Sequence, residues 1–408
     1  MQKILTHQRL FSISLVAVSL VLVTLPLKNN LNSFSILFLS VLALFQWFGT
    51  QEKAKMTPVF WAFIGFFVWA CLSFFWSDDQ QESLKAFRKL LPFLLLPISI
   101  QFVDQKSTKW TTKILSYFSL GMVICSIYCL LFANINFIET KDRSYFFYHY
   151  LSEPLFGMSA IYMSLFIAFS FFFLYYQAPF KSWQNKVLLF FLLVMIILLS
   201  SKVLVVSTFL ILIADQLKRK KYKALILFIP LVLVMLWKSF SSDQIQQRVI
   251  LEVEKTNVNE VLTTEKFGQV YHWTGFGLRL FQAKCFYELF DRDKKYIQGY
   301  GFLASQEKLT EKYQEYDLYP DFFSYNFHNQ YLQTTADLGL FGLVMMLFLL
   351  LMGFKRALTE KSPLFFVFIL LMTLICITES VLWRQWGMVF FVTLYCLLYL
   401  QPLQRTSN

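Results

Sequence analysis

Of the 408 residues 57% are hydrophobic and only 15% are charged, too little polar surface to cover a soluble fold of this length. The chain therefore reads as an all-α integral membrane protein. Its net charge of +12 invites a nucleic-acid reading, but the bases sit in short loops and form no stripe interleaved with aromatics, so nucleic acid is excluded as a partner.

Apolar runs long enough to cross a hydrocarbon core of about 30 Å recur along the chain. They predict spans at 10–27, 31–49, 58–76, 86–103, 113–134, 154–177, 186–200, 203–217, 223–239, 330–353, 363–380 and 385–402, a bundle of about twelve transmembrane helices. Lys3 and Arg9 precede the first run as in a signal peptide. No small-residue cleavage site follows and a second run begins at once, so it reads as a retained helix. No internal repeat is visible. The domain organisation is a single polytopic domain over 1–408, with one large helical periplasmic loop at 239–328 between the ninth and tenth spans.

Basic residues concentrate on alternate loops: Lys53 and Lys55, Lys106 and Lys109, Lys181 and Lys186, Lys218 to Lys223, then Lys355, Arg356 and Lys361. The loop Ser77-Asp78-Asp79-Gln80 between two such sets has no base. The positive-inside rule then places both termini in the cytoplasm and the long loop outside, in the periplasm of a Gram-negative cell. Within that loop Asp243–Leu262 carries apolar residues on one helical face. Thr274–Phe290 does the same with Leu278, Phe281, Cys285 and Leu289, and Leu303–Tyr316 reads as a third, charged helix ended by Pro320. The loop looks too short and polar for a core of its own and is expected to lie over the bundle mouth as a lid. Cys285 is the one cysteine there, so no disulfide framework is implied.

Chemistry-bearing residues gather at the outer side. His328 stands at the start of the tenth span in Phe327-His328-Asn329-Gln330, where a neutral imidazole suits proton abstraction from a sugar hydroxyl and Asn329 can orient a neighbour. The bland alternative is an interfacial histidine bonded to a headgroup or carbonyl. Arg279, in Gly277-Leu278-Arg279-Leu280-Phe281, offers a guanidinium fork for phosphate, or else snorkels to lipid. Lys202, in Ser200-Ser201-Lys202, lies on the side disfavoured for bases and needs an anion or an exposed position. Gly299-Tyr300-Gly301 is a tight turn whose amides can face phosphate. Glu379 and Arg384 flank the last outer turn and either pair with each other or line the same mouth. Asp291-Arg292-Asp293 reads as a solvated turn rather than a metal site, and no His/Cys cluster has metal spacing, so no cofactor is expected.

The order "RLFQAKCFYEL" (279–289), "GYG" (299–301) and "FHNQYLQTTADLGLFG" (327–342) resembles the O-antigen ligase/polymerase family of bacterial membrane glycosyltransferases. The likeness covers roughly 186–400 at motif level. It implies transfer of a glycan from undecaprenyl pyrophosphate to an acceptor sugar hydroxyl, lipid A-core or another glycan, at the outer face of the inner membrane. It further implies His328 as base and Arg279 as the pyrophosphate ligand, with Ser201-Lys202 where the family usually has Ser-Arg. A tryptophan often found four residues after the loop arginine is Ala283 here. Sequence separates ligase from repeat-unit polymerase poorly. A transporter of lipid-linked sugar is the reading from a different class; it expects inverted repeats, broken helices and buried charges.

Overall fold

The computed structural model describes residues 2–49, 56–103, 108–220 and 257–400. Fifteen α-helices and four short 3-10 turns account for their regular structure, with no strand among the described residues. Nine of the helices precede residue 220: α1 Gln2–Val23, α2 Asn29–Gly49, α3 Pro58–Leu72, α4 Gln80–Phe102, α5 Thr108–Thr140, α6 Tyr148–Ser152, α7 Ala160–Gln177, α8 Ser182–Leu198 and α9 Lys202–Lys218. The other six are α10 Val258–Thr263, α11 Gly275–Asp293, α12 Ser305–Glu315, α13 Gln330–Thr359, α14 Pro363–Ile375 and α15 Gln385–Leu400.

Every predicted span that falls within the described residues contains a helix, although 24–27, 154–159 and 376–380 fall in turns. The predicted span 223–239, the loop bases Lys53, Lys55, Lys106, Lys221 and Lys223, and residues 243–256 of the first predicted loop helix lie outside them. Among the described residues five helical stretches are long and apolar enough to cross a bilayer: Asn29–Phe48, Pro58–Trp76, Thr108–Thr140, Ala160–Gln177 and Gln330–Thr359. Phe11–Val23, Ser182–Leu198, Pro363–Ile375 and Gln385–Leu400 are apolar but shorter. The chain is thus a multi-pass, all-helical membrane protein, while the count of twelve crossings exceeds the five long spans.

Aromatic side chains fill the bundle centre. Phe166 and Phe390 lie 4.6 Å apart by ring centroids, and Phe169 meets Phe368 at 5.7 Å and Phe390 at 5.7 Å. Between apolar helices in lipid such close packing, rather than removal from water, supplies the attraction. Short connections make successive helices antiparallel, so one end of the bundle collects the turns around 24–28, 73–79, 141–159, 199–201 and 376–384. Gln385 Nε2 donates to Asn29 O at 3.3 Å beside the first and last of these turns, and Asp78 N donates to Tyr300 O at 3.0 Å, which ties a third to the insertion.

The 257–329 insertion covers this end, and it is more than a lid. Val261, Leu278, Phe281, Cys285, Leu289, Tyr300, Leu309 and Tyr313 form a hydrophobic cluster separate from that of the bundle. Phe281 is its hub, with Trp273 at 5.0 Å, Tyr316 at 5.1 Å and Phe267 at 5.3 Å. Large rings let a short polar segment build a core, because each aromatic can bury 150–250 Å². Cys285 is accordingly buried.

Helix α13 is broken at Gly339 (φ 68°, ψ −173°). The backbone groups freed by the break are bonded by the insertion and α3. Leu340 N donates to Tyr296 O at 2.7 Å, Tyr300 N to Ala336 O at 2.8 Å, Gly301 N to Asp337 O at 2.9 Å, and Trp69 Nε1 to Leu338 O at 3.0 Å. A Cβ on Gly339 would stand 1.9 Å from Ile297 O, and one on Gly299 2.6 Å from Gly339 N. Both glycines are there so that two backbones can touch.

Candidate functional site

The start of α13 is fastened to the 373–382 segment by a row of hydrogen bonds. Asn329 caps the helix, its Oδ1 accepting from Leu332 N at 3.0 Å, while its Nδ2 donates to Ile377 O at 3.0 Å. Gln330 N donates to Cys376 O at 2.8 Å, its Oε1 accepts from Leu382 N at 2.6 Å, and Tyr331 OH donates to Thr373 O at 2.9 Å. His328, just before the cap, adopts a left-handed backbone (φ 45°) held by its own N–H donating to Asn326 Oδ1 at 2.9 Å.

This fastening brings His328 Nδ1 to 3.5 Å from Glu379 Oε2, the outer limit of a hydrogen bond. Nδ1 makes no hydrogen bond among the described residues, so the two groups meet as a close contact. Glu379 keeps 8% of its side chain exposed and His328 keeps 24%, so the histidine is the member that a ligand can reach. Burial alone would raise the Glu379 carboxyl. The His328 imidazole, then Arg279 and Arg384, outweigh burial and hold it below the ordinary carboxylate range.

Beside this pair lies a cleft of about 480 Å³ lined by Tyr148, Ser200, Ser201, Lys202, Trp273, Gly275, Arg279 and Thr378, among others. Two helix N-termini converge on it. Lys202 is the first residue of α9, and Ser201 before it makes no side-chain cap. Gly275 opens α11, where Thr274 Oγ1 accepts from Gly277 N at 3.0 Å. Each such terminus carries roughly half a positive charge, so a Lys, an Arg and two helix dipoles act together in one cavity. Arg279 Nε donates to Thr378 O at 3.0 Å and its Nη1 to Gly275 O at 2.7 Å. Those bonds aim the guanidinium and leave its Nη2 donors for a ligand.

Lys202 and Arg279 thus share the cleft, with His328 reached through the Thr378-Glu379 step. The remaining expected site residues are not cleft walls. Asn329 is committed to the cap and to Ile377. Gly299 N donates to Lys295 O at 3.0 Å, and with Tyr300 N and Gly301 N serving the α13 break, this turn spends its amides on the fold. Arg384 is exposed and within electrostatic reach of Glu379. Asp291 pairs with Lys294 at 2.6 Å and Asp293 with Arg292 at 2.7 Å, so the Asp-x-Asp carboxylates are engaged inside the insertion.

The family model for O-antigen ligase matches residues 154–347, a little under half of the chain. The chain carries an O-antigen ligase domain. No curated protein matches it. Within the O-antigen ligase domain lie Lys202, Arg279, the Gly299-Tyr300-Gly301 clasp, His328 and Asn329; Glu379 and Arg384 lie beyond it. Sequence reasoning overlooked Trp273 and Tyr148 as cleft walls and did not name His328 as the neighbour of Glu379. A lone acid in the apolar run from Ile375 to Leu382 was the available signal for Glu379.

Proposed function

We propose that the protein is a membrane glycosyltransferase that moves a glycan from undecaprenyl pyrophosphate to an acceptor sugar hydroxyl, as in O-antigen ligation to lipid A-core. The observation that carries this reading is the juxtaposition of an Arg279–Lys202 cleft at two helix N-termini with a His328–Glu379 pair. The cleft suits a pyrophosphate, and the pair suits a base acting on the acceptor hydroxyl.

In this reading the Glu379 carboxylate accepts from Nδ1–H and so fixes the tautomer that leaves Nε2 free to take the acceptor proton. The acceptor oxygen attacks the anomeric carbon as the bond to pyrophosphate breaks. Charge gathering on the departing phosphate meets Arg279, Lys202 and the two helix ends, so the protein's own cations serve the leaving group and the transfer is metal-independent. One displacement inverts the anomeric centre.

Orientation follows from charge. Lys109, Lys181, Lys186, Lys218, Arg219, Lys220, Lys355, Arg356 and Lys361 all lie at the bundle end away from the cleft. The positive-inside rule makes that end cytoplasmic, with both termini, and the cleft periplasmic in the inner membrane. The break in α13 and the buried Asp337 are features a transporter would also have. Here Asp337 Oδ1 accepts from Ser305 Oγ at 2.5 Å and Oδ2 from Gln333 Nε2 at 3.2 Å, and the break is closed by the insertion, which favours a fixed clasp over a moving gate.

Purified protein incubated with a lipid-pyrophosphate oligosaccharide and a lipid A-core acceptor should yield glycosylated acceptor and free lipid pyrophosphate. Elongated lipid-linked chains would make it a polymerase instead. Full transfer by both His328→Ala and Arg279→Ala at normal expression would sink the site assignment.

A further inference from the structure

A second cleft, of about 470 Å³, lies between α9, α14 and the last turn of α13. It stands at the end of the bundle away from the Arg279–Lys202 cleft, which takes residues from the opposite ends of the same two helices, Lys202 of α9 and Ile375 of α14. Its walls are largely apolar: Ile211 and Ala214 of α9, Leu358 of α13, and Phe366, Val367 and Leu370 of α14. Lys218, which closes α9, and Lys361, in the turn from α13 to α14, also line it and are exposed. From Pro363 to Leu370 α14 rises about 10 Å at 1.5 Å per residue. The groove therefore starts at the level of the lysines and reaches well into one leaflet, whose hydrocarbon is about 15 Å deep.

Two carboxylates lie near these lysines, and both are engaged elsewhere. Asp215, itself in the wall, pairs with Arg219 at 2.6 Å and accepts from Tyr175 OH at 2.7 Å. Glu360, beside Lys361, pairs with Arg356 at 2.6 Å. Lys218 and Lys361 form no ion pair among the described residues, so the mouth of the cleft carries an excess of positive charge. The positive-inside pattern accounts for bases at this end, but not for an apolar groove running inward from these two. An inorganic anion would leave the groove unfilled, and a zwitterionic headgroup would bring its own ammonium beside the lysines. A basic pocket between membrane helices is suited to an anionic headgroup whose chain follows the groove.

We propose that the α9–α14 groove binds an anionic phospholipid, with an acyl chain against Leu358, Phe366 and Leu370 and the headgroup phosphate at Lys218 and Lys361. In the orientation given above the site belongs to the cytoplasmic leaflet, across the membrane from the transfer site, and it stands independently of the transfer chemistry.

Full-length protein, delipidated in detergent, is titrated with phosphatidylglycerol and with phosphatidylethanolamine of the same chains, and binding is followed by native mass spectrometry. Wild type should bind one phosphatidylglycerol at least tenfold more tightly than phosphatidylethanolamine. Lys218→Gln/Lys361→Gln should lose that preference. Lys186→Gln/Lys355→Gln, which removes the same charge from the same end but outside the groove, should keep it. Ala214→Trp leaves both lysines in place and fills the groove with a ring, so it should weaken phosphatidylglycerol binding. Glycerol phosphate, the same head without chains, should not displace the lipid. Equal affinity of wild type for the two lipids would overturn the proposal without any variant having to fold, and a groove filled by another part of the chain would give that result. Equal loss of preference in the two double variants would also overturn it, by making diffuse surface charge the cause. So would unchanged binding in Ala214→Trp, which places the lipid elsewhere, or displacement by glycerol phosphate at the lipid's own concentration, which makes the site a simple anion site.

Discussion

Glu379 sits 3.5 Å from His328 because α13 and the 373–382 segment are laced together by four hydrogen bonds of three successive residues, Asn329, Gln330 and Tyr331. The pair is a product of that lacing. A carboxylate buried this deeply, beside an imidazole that stays reachable, acts through the histidine and is a positioning residue.

Glu379→Gln keeps the shape but removes the charge that fixes the histidine tautomer. It should lower kcat while leaving donor KM nearly constant, and it should change the pH dependence of kcat. His328→Ala should lower kcat by about 10²–10⁴, the usual worth of a positioned base. If Glu379 were only structural, Glu379→Gln would reduce folded yield and leave the pH profile of the remaining enzyme as it was. Steady-state kinetics across pH on size-exclusion-purified protein decides between these outcomes.

Arg279 and Lys202 should differ in what they tolerate. Arg279 uses Nε and Nη1 to hold Thr378 and Gly275, so lysine cannot replace it: Arg279→Lys loses both bonds and its planar fork. Arg279→Lys should raise donor KM and lower kcat together. Lys202→Arg keeps the charge at the start of α9 and should retain most activity, while Lys202→Ala should fall at least tenfold in kcat/KM for the donor. Equal sensitivity of the two positions to Lys/Arg exchange would show that charge alone matters in the cleft.

The helices were legible because each is an uninterrupted apolar window, and α11 was legible down to its face, since Leu278, Phe281, Cys285 and Leu289 are all buried. The break at Gly339 was hidden: hydropathy runs smoothly from Leu338 through Leu343, and only the 296–301 backbone lying against it shows why the helix stops. The insertion's own core was hidden for a similar reason. Its rings are spaced among Lys and Glu along separate helices, and nothing local says that they close on Phe281. The Glu379–His328 pairing is likewise a contact between distant segments, whereas Glu379 with Arg384 was the nearer and simpler guess.

Gly339→Ala should destabilise the protein more than its one methyl group suggests. The position has φ 68°, where a Cβ is strained by roughly 1–3 kcal/mol, and that Cβ would stand 1.9 Å from Ile297 O. The insertion must then lift from α13. Loss of thermal stability in detergent, with faster proteolysis between α11 and α12, is the expected result. An unchanged melting curve would mean that the clasp is not required for folding.

Acid should loosen the insertion by a second route. Arg292, chiefly, and the Tyr300 hydroxyl hold the Asp293 carboxyl below its ordinary range, with burial opposing them only in part. Its pKa is lower folded than unfolded, so the tie contributes fully above the unfolded value of about 3.9 and is lost as pH falls through the folded value. Arg292 also reaches Glu311 and Glu315 on α12 at 3.6 Å each, so losing the Asp293 charge weakens the junction of α11, the Tyr300 clasp and α12 at one point. Protease resistance of the insertion should therefore hold from neutral pH down to about pH 4 and decline below it. Asp293→Asn should start from lower resistance at neutral pH and show a flatter acid limb. An identical acid limb in wild type and Asp293→Asn would place the sensitivity on another carboxylate.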